Sequence, residues 1–123
     1  MSLTQLSAIL AAATTQPFFA DFAGARFIQL YLYVHRVDGL QPGVYRLWPE
    51  RTELELIKSG DQRVAAAGLS LGQELAGNAC VAFSMIGDLE RAMRAHGDRG
   101  YRYVHFEAGA IGHRLYLAAE ALG

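Results

Sequence analysis

The start of the chain carries apolar residues at helical spacing. The members of this stripe are Leu3, Leu6, Ile9 and Leu10. Residues three and four apart share one face of a helix, so the stripe predicts an amphipathic helix. Ser2 or Thr4 is placed to cap its first turn, and Pro17 cannot continue a helix. We therefore predict a helix that begins near Leu3 and ends before Pro17.

Three strand-like segments follow. Residues 27–36 are rich in β-branched and aromatic side chains, which is typical of a central strand. A turn-forming cluster at residues 38–43 separates them from a second apolar run at residues 44–47. Residues 53–58 alternate charged and aliphatic side chains, which is typical of a half-exposed edge strand. The three segments together predict an antiparallel meander.

The second half of the chain predicts four shorter elements and one long helix. The shorter ones are a helix that Asp61 caps and that runs to about Ala67, a short helix over residues 71–76, a buried strand over residues 79–86, and a helix over residues 89–95 that Asp88 caps. The last segment, residues 100–122, is apolar almost all round, which is typical of a helix buried on most sides. Gly109 and Gly112 indicate close approach of another backbone or a flat ligand there.

This element order predicts one α+β layered structure. The sheet and the short helices supply only part of the cover that the last helix needs. We therefore expect a partner subunit or further chain against that helix.

Composition removes several classes of function. The chain has 123 residues, 52% of them hydrophobic and 19% charged, with a formal net charge of −1 and a pI near 6.4. A near-neutral balance does not favour binding to nucleic acid or to an anionic membrane. The start of the chain has no cationic stretch typical of a signal peptide, and the longest uncharged run is broken by polar residues and Pro17. The single cysteine, Cys80, is expected to be a buried inert thiol. A cytoplasmic protein is the expectation.

Motifs with strong catalytic meaning are absent from the sequence, which has no glycine-rich dinucleotide loop, Walker loop or nucleophile elbow. His105 and His113 are eight residues apart on the predicted last helix, which is too far for a joint metal site, so no metal is expected. Residues 97–103 indicate an anion-binding site, because Arg99 and Arg102 lie at a predicted helix N-terminus, which attracts anions. The alternative is a capped turn in which Asp98 pairs with one of these arginines.

Aromatic side chains on the predicted sheet offer a second possibility. They are Tyr31, Tyr33, Tyr45 and Trp48. Such a group can stack a planar ligand, although aromatic stripes more often form a core or a subunit interface.

Several motifs resemble those of the SagB-type dehydrogenases in the nitroreductase-like superfamily. They are the stretch His35–Arg46, Gly60–Arg63, Tyr101–Tyr103 with Glu107–Gly109, and Leu115–Gly123. The resemblance implies an α+β nitroreductase-like fold over residues 1–123, incomplete at both ends, and an obligate homodimer. It also implies FMN at the dimer interface, hydride transfer through the flavin, and a small-molecule or peptide substrate.

The resemblance also implies site residues, and the sequence departs from the family there. The family's flavin-cradling Pro-Ser-Ala-Gly-Ala-Leu-Tyr-Pro matches residues 21–28, where Gly24 and Ala25 remain. The Arg-x-Ser-x-Arg phosphate clamp does not precede Leu3, and His96 stands where azoline oxidases carry the tyrosine of a Lys-Tyr pair. The implied flavin-binding residues are Ala23, Gly24, Ala25, Arg26, Arg99 and Arg102. His96 is the implied proton donor, because histidine is the side chain best suited to proton transfer near neutral pH.

Three functions stay open from the sequence. The first is an FMN-dependent oxidoreductase. The second is a flavin-free family member that serves as a dimeric scaffold or partner in a biosynthetic complex, which the missing clamp favours because a buried phosphate dianion needs fixed positive charge. The third is a small-ligand binding module that uses the sheet.

Overall fold

The elements of the fold follow the order that the sequence predicts. The computed structural model describes residues 1–15 and 26–123. Its helices are α1 (Leu3–Thr14), α2 (Arg63–Leu69), α3 (Glu74–Asn78), α4 (Leu89–His96) and α5 (Arg99–Leu122), with a single 3₁₀ turn at Pro49–Arg51. Its strands are β1 (Ile28–Val34), β2 (Gly43–Trp48), β3 (Glu53–Ser59) and β4 (Val81–Gly87). The α+β class is confirmed.

The four strands form one antiparallel sheet in the order β3-β2-β1-β4. Tyr31 lies opposite Arg46 in the β1–β2 pair, and Trp48 lies opposite Glu53 in the β2–β3 pair. The predicted meander, with β3 at an edge, is therefore confirmed. Side chains alternate between buried and half-buried along β1 and β2, as expected for strands with one face in the core.

The chain divides into two compact units, Met1–Leu6 with Leu30–Ser84 and Ser7–Gln29 with Met85–Gly123. The side chains of Leu32 and Val34 in the first unit are fully buried. In the second unit, Phe27, Ala92 and Val104 form a buried cluster against which Ile28 packs.

Helix α1 begins with the cap that the sequence offers at Ser2. The backbone N–H of Gln5 donates to Ser2 Oγ at 3.2 Å, and the Ser2 N–H donates to Gln5 Oε1 at 2.8 Å. This reciprocal pair is a capping box, which satisfies backbone donors that the first turn leaves without partners. The helix ends at Thr14, ahead of Pro17 as predicted.

The α2–α3 region corrects one prediction. The short helix expected over residues 71–76 is wrong in position, because α3 spans Glu74–Asn78. Leu71 lies instead in a turn at φ 59° and is followed by Gly72 at φ 75°. Two successive left-handed residues cannot belong to a right-handed helix. Asp61 contributes to the start of α2, since its Oδ1 accepts the N–H of Arg63 at 2.9 Å, although the N-cap residue of this helix is Gln62.

Two predictions about burial in the second half are wrong. Strand β4, expected to be buried, is half-buried along most of its length, and so is Cys80 just before it. In helix α5, which the sequence predicts to need cover from a partner subunit or further chain, the buried residues are Gly100, Val104, Glu107 and Leu115. Other apolar side chains of α5, among them Phe106, Tyr116 and Leu117, are exposed, so this chain supplies only part of that cover.

Helix α4 begins as predicted and packs closely on α5. Asp88 caps α4, with its Oδ1 accepting the N–H of Arg91 at 2.9 Å. At the start of α5, a Cβ placed on Gly100 would lie 2.3 Å from the Ala92 carbonyl oxygen. Only a residue without a side chain allows the two helix backbones to approach this closely.

Candidate functional site

A buried carboxylate joins α5 to the start of β1. Glu107 Oε2 accepts the backbone N–H of Phe27 at 2.8 Å, and its Oε1 accepts the N–H of Ile28 at 3.1 Å. Glu107 is only 8% exposed. We call these two hydrogen bonds the Glu107 clasp. Phe27 and Ile28 are the last two residues of the segment matched to the flavin cradle, so the clasp fixes the end of that segment at the start of β1.

Burial raises the pKa of the Glu107 carboxyl, because a low-dielectric surrounding disfavours the charged form. The N–H groups of Phe27 and Ile28 act in the opposite direction, and so do the guanidinium groups of Arg26 and Arg91. The carboxyl is thus buried but surrounded by donors and positive charge. Such a setting holds a carboxylate in one orientation.

Three arginines make further contacts around the clasp. Arg26 Nη2 donates to the carbonyl oxygen of Thr14 at 2.9 Å, Arg114 Nη1 donates to that of Thr15, and Arg91 Nη2 donates to that of Arg26. Thr14 ends α1, and cations favour the exposed carbonyls at a helix C-terminus. Arg26, predicted to bind the flavin, therefore makes a structural contact at the end of α1.

His96, the predicted proton donor, packs between two aromatic rings. Its imidazole lies edge-on to Phe27 and to Tyr103, with ring centroids 5.8 and 4.9 Å apart. The ring is half-buried at the end of α4, where Gly97 at φ 61° terminates the helix. His96 thus shares a contact with Phe27, whose amide Glu107 holds. Its role as a proton donor stays a prediction.

Arg99 and Arg102 lie at the start of α5, and both are exposed. No ion pair joins either of them to Asp98, so the predicted local pairing is absent. Asp98 occupies the N-cap position without a side-chain hydrogen bond to the first turn. Both guanidinium groups therefore remain available to an anion. Ala23, Gly24 and Ala25, the other predicted flavin contacts, lie outside the described residues.

Two of the four aromatic residues of the sheet, Tyr45 and Trp48, make contacts with their neighbours. The Tyr45 hydroxyl is buried and donates to the Gln41 carbonyl oxygen at 2.8 Å. The guanidinium carbons of Arg46 and Arg51 lie 3.7 and 4.5 Å from the centre of the Trp48 ring. These cation–π contacts compete with any planar ligand for Trp48. They give the ligand-stacking hypothesis no support.

The histidines of the described residues do not belong to a group of side chains that could hold a metal ion. His105 Nδ1 donates to the Tyr101 carbonyl oxygen at 2.8 Å, and His113 is exposed further along α5. Within residues 1–15 and 26–123, no three His, Cys, Asp or Glu side chains are grouped closely enough to hold a metal ion. Among the same residues, no helix is both long and apolar enough to cross a membrane.

Comparison with known proteins assigns the family. The family model described as "Nitroreductase family" matches residues 1–123. The chain belongs to the nitroreductase family. It is 35% identical over 129 residues to a proposed nitroreductase of Methanocaldococcus jannaschii, covering 100% of this chain and 65% of that protein. It is also 37% identical over 78 residues to the trifolitoxin operon protein TfxC of Rhizobium leguminosarum bv. trifolii, covering 62% of this chain and 22% of that one.

Solved structures place the fold in the same family. A proposed nitroreductase from Anabaena variabilis superposes with a TM-score of 0.88 at 32% identity, over 99% of this chain and 27% of that one. A chain of the Escherichia coli microcin synthetase McbBCD complex, solved with truncated pro-MccB17 bound, gives a TM-score of 0.77 at 23% identity, over 100% of this chain and 51% of that one. The second likeness shows the fold alone. The chain spans less than two thirds of each of these four proteins.

Sequence reasoning about this nitroreductase-family chain missed Glu107 as a site residue. A usable signal was present, because Glu107 lies on the helical stripe formed by Val104, Ile111 and Leu115. A carboxylate on an otherwise apolar stripe needs a buried partner. The sequence could not identify that partner, because the Phe27 and Ile28 amides lie about 80 residues away and every residue carries such an amide.

Proposed function

We propose that the protein is an FMN-dependent oxidoreductase of the SagB-type nitroreductase kind. The observation that carries the proposal is the family match over residues 1–123, since members of this family generally use a flavin. When bound, FMN supplies a ring that accepts and returns a hydride. The Glu107 clasp supports the proposal, because it fixes the chain where the segment matched to the flavin cradle ends. The cytoplasmic location expected from the sequence stays a prediction.

Arg99 and Arg102 are the proposed phosphate contacts. They are exposed, carry no ion pair with Asp98, and begin the long helix α5, whose N-terminal dipole favours anions. Arginine can also bind phosphate oxygens through two parallel hydrogen bonds. This pair supplies fixed positive charge for a phosphate, whereas Arg26 is engaged with Thr14.

Titration of FMN, followed by flavin fluorescence, tests this assignment. We expect saturable quenching at one FMN per chain. Arg99→Gln and Arg102→Gln should each weaken binding about tenfold or more, because each removes a charge-assisted hydrogen bond. Arg94→Gln is the matched control: it removes the same charge from an exposed arginine that pairs with Glu90, and it should leave the affinity unchanged.

The outcomes of this titration separate two functions. If FMN fluorescence is not quenched by the wild-type protein, the oxidoreductase proposal is wrong, and the flavin-free scaffold and the small-ligand module remain. The contact of Arg26, a predicted flavin-binding residue, with the Thr14 carbonyl favours the scaffold. If FMN binds but the two glutamine variants keep full affinity, the function stands and the phosphate contacts lie elsewhere.

We also propose that the chain is a homodimer through the exposed face of α5. That face displays Tyr101, Phe106, Tyr116 and Leu117, each at least half exposed. A shallow apolar depression on this face is lined by His105, Phe106, Gly109 and Ala110. Nothing lies within 4 Å of a Cβ placed on Gly109, so this stretch has room for a second helix. A contiguous apolar face of this kind is typical of an interface.

The variant Phe106→Glu tests the dimer. Phe106 is 65% exposed. A carboxylate at this position would lose its hydration in an apolar interface, which is unfavourable. We expect size-exclusion chromatography with light scattering to give the mass of two chains for the wild type and of one for Phe106→Glu. Leu71→Glu is the control, because Leu71 is 93% exposed but lies between α2 and α3. A monomeric wild type, or a dimer that only Leu71→Glu splits, contradicts this interface.

A further inference from the structure

Three side chains hold the end of α3 by its backbone carbonyls. His35 Nε2 lies 3.2 Å from the Ala76 carbonyl oxygen, and Arg63 Nη1 donates to that of Gly77 at 3.4 Å. Arg36 Nη2 donates to the carbonyl oxygen of Asn78. The last carbonyls of a helix have no partners within the helix and favour donors and cations. We call these three contacts the α3 clamp.

The α3 clamp is important for holding α3 in place, because α2 and α3 bury few apolar side chains. Ala66 and Gly77 are the only residues of these two helices that are buried. The large aliphatic side chains of this stretch are instead mostly exposed; they are Val64, Leu69, Leu71 and Leu75. A segment with few buried apolar contacts opens at low free energy. Small changes at the clamp can therefore change how often α2 and α3 open.

His35 is the member of the clamp that can change its charge near neutral pH. It is 6% exposed. Because Nε2 faces a carbonyl oxygen, this nitrogen carries the ring proton and Nδ1 is left as an acceptor. Nδ1 is buried and has no hydrogen-bond partner within the described residues. A second proton would therefore create a buried N–H donor that has no acceptor among the described residues.

The charged groups around His35 add to this effect on balance. Arg63 at the start of α2 and Arg36 beside His35 disfavour a further positive charge, whereas Asp61 favours it. Helix α3 contributes only the Ala76 carbonyl, which favours the protonated ring. Burial has the largest effect, and together these groups lower the pKa of His35 from its ordinary value of 6.5.

We propose that the α3 clamp is a pH-dependent latch: it holds α2 and α3 while His35 is neutral, and mild acid releases them by protonating His35. This inference does not depend on the proposed flavin function. The direction of the pH effect follows from the difference in proton binding by His35 between the folded and the opened segment. The pKa of His35 is lower in the folded segment than in the opened one, so the latch has its full strength above pH 6.5. It weakens as the pH falls below that value, because the opened segment then binds the proton more readily.

Hydrogen exchange of the full-length protein tests the latch. We expect the opening of residues 63–78, corrected for intrinsic exchange, to rise by up to about tenfold for each pH unit below 6.5, until His35 also titrates in the folded state. Exchange in α5 should not change over the same range. In His35→Gln, whose amide can still donate to Ala76 but does not titrate, the pH dependence should disappear. His113→Gln, at an exposed histidine on α5, should behave as the wild type.

Other results would overturn the latch. These are an α2–α3 opening that does not respond to pH, a response that persists in His35→Gln, or an equal response in α5. If His35→Gln does not fold, NMR titration of the His35 ring protons in the wild type decides instead. A midpoint below 6.5 supports the latch, and a midpoint at or above that value refutes it.

Discussion

Glu107→Ala should lower the free energy of unfolding by about 2–5 kcal/mol, measured by urea denaturation at neutral pH. The substitution leaves the N–H groups of Phe27 and Ile28 without their acceptor in a buried setting. Each buried donor without a partner costs about 1–3 kcal/mol. Burial of the carboxyl itself opposes folding and reduces the net loss. The upper end of the expected range is therefore smaller than the sum of the largest costs for the two donors. Glu107→Gln should lose less, because one amide oxygen can still accept one of the two N–H groups.

Glu120→Ala is the matched control for this experiment. Glu120 lies on the same helix, near its C-terminus, and is exposed. A negative charge near a helix C-terminus is unfavourable, so this variant should be neutral or slightly more stable. A loss below about 1 kcal/mol for Glu107→Ala would show that water or a shifted backbone replaces the clasp.

Gly100→Ala should destabilise the protein by about 1–3 kcal/mol or more, the usual cost of forcing extra atoms into a packed site. The new Cβ would lie 2.3 Å from the Ala92 carbonyl oxygen and 2.7 Å from the Met93 backbone nitrogen. These are backbone atoms of α4, so no side-chain rotation relieves the clash. Helices α4 and α5 would have to move apart. Thermal unfolding followed by circular dichroism measures the loss.

Gly68→Ala is the control substitution, since it adds the same methyl group to a helix. Gly68 lies within α2, and nothing lies within 4 Å of a Cβ placed there. Alanine is the better helix former by about 1 kcal/mol, so this variant should be as stable as the wild type or more stable. If both substitutions have the same effect, the close approach of α4 and α5 at Gly100 is not a constraint.

The sequence predicted best those features that depend on neighbours along the chain. The caps at Ser2 and Asp88 act within three residues, and both are observed. The alternation of side chains in residues 53–58 placed β3 at an edge of the sheet, where the structure has it. The predicted position of α3 was wrong because the sequence does not show where α2 ends. Leu71 and Gly72 adopt left-handed conformations after α2, and the composition of this stretch contains no signal strong enough to locate that turn.

For the candidate site residues, too, the sequence showed the residue types and the structure showed the contacts. The resemblance singled out Arg26, Arg99 and Arg102 by residue type, and residue type alone treats them as equivalent. The structure separates them, because Arg26 reaches the end of α1 while the other two are exposed at the start of α5. It also brings His96 into contact with Phe27, which lies about 70 residues earlier in the chain.

By itself, the sequence determined the α+β class, the meander and most helix and strand positions, because local hydrogen bonds and hydrophobic periodicity depend on consecutive residues. The nitroreductase-like character came from the resemblance of its motifs to those of that family. Only the tertiary structure decided which distant groups meet. It paired Glu107 with the amides of β1, placed Gly100 against α4, and left the Nδ1 of His35 without a partner among the described residues. Backbone amides and carbonyls are the same at every position, so their partners become known only when the chain is folded.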